Sequence, residues 1–589
     1  MESLLQKLLK WSQAEPTASM QAFKRDNHWH KISTQECVSR VENLANFLCQ
    51  MGIKKGDIGV IYSYNCPEWV QMDLALMLVG ASSAGVYTNS SIRTIHHILN
   101  HSEAKLLVVD TYESYLRLYG AQPLSEISPT LKKIVVLQGS TESENTKASW
   151  PEHVISFSKA LEMGKTQEAH ANKSFEERLR EINRQDRAIL IYTSGTTGNS
   201  KGVCLTHENL AFASDCYAQS WEAPKVGSLF SFLPLAHVAE RITNLGIGIA
   251  NRYTVYFCSD PLSIASEMRE VEPTIALAVP RLWDKFREGV EKRLSRLPQQ
   301  QQKQIKWAMK IGKEYWNLKV NSCFISPWLK LQYALADHWV LKNFRQQLGL
   351  GRSLRVVSGA AALSRPTLEW YRGIGVIIIE AYALSESSGV LTCGKPNLET
   401  IGTVGIPYQG VEVRLASDGE IETRGPHIFQ GYYKDPTATD EMIRDGWLLT
   451  GDIGQQDANG CIKILGRKRE IIKTAEGKMV SPLYLEAQLE NHPWIDQAIV
   501  IGNEKPYLTA LLTLNEEGKT LKISPSELRE TIQQYMDQLN SELASHERIK
   551  QFRILTHHFS IDRDESTVTM KIKRKVIETN YLDQISSMY

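Results

Sequence analysis

The sequence lacks an excess of charge of either sign: 67 Lys and Arg face 66 Asp and Glu, a formal net charge of +1 over 589 residues. Proteins that coat nucleic acid are usually strongly basic, so no nucleic-acid partner is expected. Cysteine is sparse: nine residues, scattered from Cys37 to Cys461 and never spaced as Cys-x-x-Cys. That pattern excludes a disulfide framework and a structural zinc cluster, and points to reduced thiols in a cytoplasmic setting. Long apolar runs are missing too. The longest uncharged stretch, Leu74 to Ile92, spans 19 residues but contains Gly80, Gly85 and several Ser, Thr and Asn, a poor composition for a spanning helix. There is no repeat at solenoid periods.

What is present is 42% hydrophobic residues, enough for large buried cores. Met1 to Trp11 (MESLLQKLLKW) carries Leu4, Leu5, Leu8 and Leu9 at helical spacing but no continuous apolar core, so no secretory leader is expected. It reads as a short helix packed on its own domain, with a weak membrane-surface helix as the alternative. The protein is expected in the cytoplasm, and a peripheral membrane contact stays open. Gly56 to Tyr62 and Lys105 to Asp110 read as buried strands flanking a helix over Glu68 to Gly80. Such alternation predicts an α/β fold with parallel-rich sheets. Residues 289–347, rich in Gln, Lys, Arg and Trp, read as a helical insertion broken near Ser326-Pro327. A change of texture at Gly466 places a boundary there: a large multi-subdomain α/β domain over 1–466 and a small, mobile α+β domain over 467–589.

Chemistry concentrates in a few ordered motifs. After the apolar strand Ala188 to Tyr192 come Thr193, Ser194, Gly195, Thr196, Thr197, Gly198, Asn199, Ser200, Lys201 and Gly202. Small residues let a backbone approach phosphate closely, and hydroxyls, N–H groups and Lys201 can bind its oxygens. The Gly-Lys-Ser/Thr ending of a Walker A loop is absent. The segment YTSGTTGNSKGV resembles the phosphate-binding signature of the adenylate-forming superfamily, which includes acyl-CoA synthetases, firefly luciferase and the adenylation domains of peptide synthetases.

Further segments follow in the order that resemblance demands. Ser231 to Arg241 (SFLPLAHVAER) and Val279-Pro280-Arg281-Leu282-Trp283 are similar to segments of long-chain acyl-CoA synthetases, and imply that His237 and Trp283 lie at the acyl pocket. Ser358 to Ser364 (SGAAALS) resembles a Ser-Gly-Gly-Ala-Pro-Leu-Ser turn, departing from it at Ala360 and Ala362, and implies adenine contacts at Gly359, Ala360 and Ala361. A positive φ at Ala360 would be strained there. Glu380-Ala381-Tyr382-Ala383-Leu384-Ser385-Glu386 resembles the Tyr-Gly-x-Thr-Glu motif, with Ala383 in place of Gly. It implies that Glu380, Ala381 and Tyr382 border adenine, that Ser385 lies near the α-phosphate, and that Glu386 with Thr193 holds Mg²⁺, an ion that favours carboxylate and phosphate oxygens.

Thr450-Gly451-Asp452 and Gly466-Arg467-Lys468-Arg469-Glu470 match the family's ribose and hinge segments, implying that Asp452 and Arg467 hold the ribose and Arg469 marks the pivot, with Lys473 in the loop beyond. Thr569 to Lys575 (TMKIKRK) resembles the C-terminal lysine segment and implies that Lys571 reaches the phosphates during adenylation. Asn65-Cys66-Pro67-Glu68-Trp69 adds an early echo. Together these imply a long-chain fatty acid–CoA ligase that uses a fatty acid, ATP, Mg²⁺ and CoA, with no oligomeric state implied. A fatty acyl-AMP ligase serving a carrier protein is the near alternative. A non-catalytic lipid- or nucleotide-binding relative is the remote one.

Overall fold

The computed structural model describes residues 1–120, 126, 128–138, 150–165, 173–193, 200–221, 224–395, 401–520, 523–560, 562–566 and 572–589. The chain divides into two compact units, Met1–Val413 with Thr423–Leu448, and Arg414–Glu422 with Leu449–Tyr589. The fold is of the α/β class, with large sheets and helices in the first unit and mixed, mostly antiparallel strand pairs in the smaller second unit.

Two sheets build the first unit. Among the described residues, one has eight strands in the order Gly431–Tyr432, Lys201–Thr206, Arg187–Thr193, Ser82–Val86, Ile58–Tyr62, Leu106–Val109, Lys133–Val136 and Val154–Ser156. Its six strands from Arg187–Thr193 to Val154–Ser156 pair in parallel. Parallel strands covered on both faces need continuous apolar runs, and every residue of Ile58–Tyr62 and Leu106–Val109 is buried. Among the described residues the second sheet has nine strands. Its parallel core runs Ile378–Tyr382, Arg355–Ser358, Ile275–Ala278, Ser228–Ser231, Thr254–Phe257 and Ser19–Arg25.

Helices fill the space beside these sheets. Pro67–Leu78 starts with Pro at its first turn and buries all its residues but Glu68, so no polar face is left to solvent. It joins His207–Ser220 in one core cluster with Ile61 and Ile189 of the first sheet and Leu229 and Val255 of the second. At the centre of this region Arg241 and Asp73 pair, both with no exposed side-chain area, and Arg241 lies 4.9 Å from the Trp69 ring centroid. Ser83 hydrogen-bonds Asp73, which links the helix to strand Ser82–Val86. Removing one partner of such a buried pair typically costs about 3–5 kcal/mol, because the other charge is stranded.

The N-terminal helix is Leu4–Ala14, capped by Ser3, with Leu4, Leu5, Leu8 and Trp11 buried in the main core. Its apolar face is therefore used internally. Residues 280–347 form Pro280–Leu294, Gln299–Val320 and Pro327–Ala336, the last capped by Ser326, followed by a π-helical turn Asp337–Leu341 and helix Lys342–Gln347. In the second unit Ile495–Ile501, Leu508–Leu514 and Ile549–Leu555 form a three-stranded sheet, packed on helices Pro482–Leu489 and Pro525–Glu542. Ser481 precedes the first of these, but its hydroxyl donates to the Leu465 carbonyl and the helix N-terminus has no side-chain cap.

Candidate active site

The phosphate-loop segment is the connection of a hairpin. Strands Arg187–Thr193 and Lys201–Thr206 run antiparallel, with Thr193 and Lys201 as register partners. Residues 194–199 between them, with Ser194, Gly195, Thr196, Thr197 and Gly198, lie outside the described residues. Ser200, just before the second strand, has its carbonyl oxygen 3.1 Å from His97 Nε2.

Lys201 is half-exposed. Its ammonium stands 3.6 Å from Asp435 Oδ2 and 5.0 Å from the Tyr432 ring centroid. The Tyr432 hydroxyl donates to Glu386 Oε1 at 2.7 Å. One aromatic side chain thus joins the loop lysine to the predicted metal carboxylate. The two-residue strand Gly431–Tyr432 makes this possible by pairing Tyr432 with Val203 on the sheet edge, beside Lys201. Glu386 itself is nearly buried, and its carbonyl accepts from Phe429 N–H at 2.9 Å. Its turn is fixed by Ser387, whose hydroxyl accepts from Leu384 N–H at 2.9 Å. Tyr382, Ala381 and Ser385 precede it, half-buried, at the end of strand Ile378–Tyr382.

The turn after strand Arg355–Ser358 lies against that same strand. Glu380 pairs in register with Ser358, and its carboxylate accepts from Leu363 N–H at 3.0 Å. Burial raises the Glu380 carboxyl to about 7, against hydrogen bonds from the Leu363 and Gly402 backbones that favour its charged form. Glu380 therefore shapes the turn from beneath. Ala360, Ala361 and Ala362 form its exposed crest. Ala360 has φ +73°, the left-handed region anticipated from the sequence. For a residue with a Cβ this conformation costs roughly 1–2 kcal/mol.

The segment Ser231 to Arg241 is clamped from several sides. Asn65 Nδ2 donates to Ser231 Oγ at 2.9 Å and to the Leu233 carbonyl at 2.7 Å, while its Oδ1 accepts from Leu235 N–H at 3.1 Å. His237 caps the short helix Val238–Arg241, its Nδ1 accepting from Ala239 N–H at 3.2 Å. Glu240 is buried, with Ser231 donating at 2.8 Å and Asn244 at 2.5 Å. Burial pushes its carboxyl up to about 8 despite these bonds. Trp283 is wholly buried with Phe230, Val356 and Tyr371, and its carbonyl accepts from the Tyr371 hydroxyl at 2.9 Å.

In the second unit Asp452 and Arg467 are register partners on an antiparallel pair, with Arg467 Nε 3.1 Å from Asp452 Oδ1. Glu420, which the motifs did not mark, accepts from Gly451 N–H at 2.9 Å and from Lys468 at 2.6 Å, and so holds both flanks of that pair. Arg469 and Lys473 are exposed, and Lys473 N–H donates to Asn503. Lys571 lies outside the described residues. The chain just beyond it is anchored by Arg574, which donates to the buried Glu486 at 2.5 Å and to the Val500 carbonyl at 2.6 Å.

Thus Glu386 and Lys201 are brought together through Tyr432, Asp452 and Arg467 directly, and Glu380 and the 358–364 turn through Leu363. Tyr432, His97 and Glu420 were missed. The only sequence signal for Tyr432 is the aromatic-rich run Phe429-Gln430-Gly431-Tyr432-Tyr433.

Comparison with known proteins gives a consistent picture. The AMP-binding enzyme family matches residues 10–433, and the AMP-binding enzyme C-terminal domain matches 469–589. The long-chain-fatty-acid–CoA ligase FadD15 of Mycobacterium tuberculosis is 33% identical over 582 residues, covering 96% of this chain and 93% of that one. The human long-chain-fatty-acid–CoA ligase ACSBG2 is 28% identical over 610 residues, covering 96% and 89%. Among solved structures, ATP-bound MatB from Rhodopseudomonas palustris superposes with a TM-score of 0.70 at 22% identity over 98% of both chains. The adenylation domain of a Mycobacterium chelonae carboxylate reductase does so with 0.75 at 20% identity, covering 100% and 91%. At these identities the structures show the shared fold.

Proposed function

The chain belongs to the family of AMP-binding enzymes, and from that premise we propose that it is an ATP-dependent long-chain fatty acid–CoA ligase. The observation that carries this reading is the match, over 96% of the chain, to proteins named for that activity. A carboxylate cannot expel oxide, so it first attacks the α-phosphorus of ATP and releases pyrophosphate. The CoA thiolate then attacks the acyl carbon of the adenylate, and AMP departs.

Each residue has a task in that scheme. Lys201 and the loop from Thr193 hold phosphate oxygens. Asp435 and Tyr432 are the partners from which Lys201 is drawn. The 358–364 turn and Tyr382 border adenine, and Asp452 with Arg467 holds the ribose. His237 and Trp283 lie at the acyl side. Lys571, carried by the C-terminal 467–589 domain, adds positive charge during adenylation and is dispensable for thioester formation.

Glu386 offers a nearly buried carboxylate with one oxygen bonded by a neutral phenol, a donor chemistry that fits a hard divalent cation. Glu386 and Thr193 would hold Mg²⁺. When bound, the ion neutralises charge on the phosphates. Tyr432 fixes the orientation of the Glu386 carboxylate.

The test is fatty-acid-dependent exchange of labelled pyrophosphate into ATP without CoA, run from acetate to oleate. Exchange that peaks with long acids is expected. Exchange only with short or aromatic acids would replace the substrate assignment.

A further inference from the structure

We propose that the helical run 327–342 is a docking surface for anionic lipid bilayers. Helix Pro327–Ala336 packs one side inward, through Leu329 and Ala336, into a small core with Ala308, Ile311 and Leu341. The outward side of a surface helix is ordinarily charged or polar. Here it presents Trp328, Leu331 and Leu335, 67%, 51% and 46% exposed, and the π-helical turn Asp337–Leu341 that continues it adds Trp339, 76% exposed. Their spacing of three, four and four residues places them on one stripe. Phe324, 83% exposed in the preceding connection, extends it. Over the α-helical part, from Trp328 to Leu335, the stripe runs roughly 10 Å at 1.5 Å per residue, and Trp339 lies about one turn further on. Amphipathic indole rings at both ends of an apolar stripe suit a helix lying in the plane of a bilayer interface.

Charge selects the occupant. Residues 289–347 contain eleven Lys and Arg against three Asp and Glu, a net charge of +8 in a chain whose total is +1. No acidic residue occurs between Glu314 and Asp337, and Lys330 and Lys342, on the same run as the stripe, are exposed. An anionic leaflet complements this field. A second copy of the chain would oppose it with the same charge. No helix among the described residues is long and apolar enough to cross a membrane, so the attachment is interfacial.

The test is co-sedimentation of the full chain with vesicles of phosphatidylcholine alone or mixed with phosphatidylglycerol. The wild-type chain is expected to bind the mixed vesicles and to be released by added salt. Trp328→Ser with Trp339→Ser should weaken binding at least about tenfold, and Lys330→Gln with Lys342→Gln about thirtyfold. All four side chains are exposed, and unchanged thermal unfolding and pyrophosphate exchange would show that the variants are folded. Absence of binding to the mixed vesicles, or equal binding by wild type and both variants, would overturn the proposal. So would a wild-type dimer that the tryptophan variant dissociates, since the stripe would then be a chain–chain contact.

Discussion

Replacing Tyr432 by Phe removes one hydroxyl and keeps the ring over Lys201. In the structure that hydroxyl donates at 2.7 Å to Glu386, a carboxylate 9% exposed. Hydrogen bonds to a charged partner contribute about 1.5–3 kcal/mol. If about 2 kcal/mol of that orientation is lost in the adenylation transition state, the rate falls about thirtyfold. The aromatic contact to Lys201, at 5.0 Å from the centroid, survives in the Phe variant. Tyr432→Leu removes it too and should cost a further few-fold, in line with about 0.5–1 kcal/mol for an exposed cation–π pair. The assay is ATP–pyrophosphate exchange with a long-chain acid across a Mg²⁺ titration. The Phe variant should show the lower rate and need more Mg²⁺ for half-maximal exchange, with little change in thermal unfolding. Wild-type exchange at limiting Mg²⁺ would refute the positioning role. Loss of exchange with an unaltered Mg²⁺ requirement would detach Tyr432 from the proposed metal role of Glu386.

Three other outcomes are expected. Lys571→Ala should lose adenylation, by about 3 kcal/mol or more in activation free energy, yet still make thioester from supplied acyl-adenylate; equal loss of both half-reactions would reject its one-step role. Ala360→Gly should relieve the left-handed strain at φ +73° and raise folding stability by roughly 0.5–1 kcal/mol, after the extra chain entropy of glycine, as read by denaturant unfolding. Glu240 keeps its proton in the folded chain up to about pH 8, against an ordinary 4.5, so the folded state binds more protons between these values and stability falls as pH rises through that window. Glu240→Gln should flatten that decline in thermal melts; an unchanged slope would place the titration elsewhere.

The sequence was most legible where one strand or one turn carries its own pattern. The continuous apolar runs at 58–62 and 106–109 became buried parallel strands, and the break at Ser326-Pro327 became a helix start. The strained φ of Ala360 was also foreseeable, because only the backbone of its own turn decides it. What escaped was produced by long-range pairing. Tyr432 lies on a two-residue strand, too short for any periodicity, and meets Glu386 only because Gly431–Tyr432 adds to the sheet edge at Val203. Glu420 sits in an unremarkable hairpin and matters because Gly451 and Lys468 come to it from over thirty residues away. The exposed stripe at 328–339 was hidden for the opposite reason. Its spacing is that of a core-facing helix, and only the packing of Leu329 and Ala336 shows which side faces inward.

The most direct measurement is product identification with the purified chain, ATP, Mg²⁺, CoA and oleate, following AMP, pyrophosphate and the acyl product together. The account predicts oleoyl-CoA, AMP and pyrophosphate in equal amounts, with pyrophosphate exchange persisting when CoA is left out. Adenylate that accumulates and is not transferred to CoA would contradict the ligase assignment in favour of a carrier-dependent enzyme. Bound nucleotide with no turnover of any acid would contradict the catalytic reading altogether.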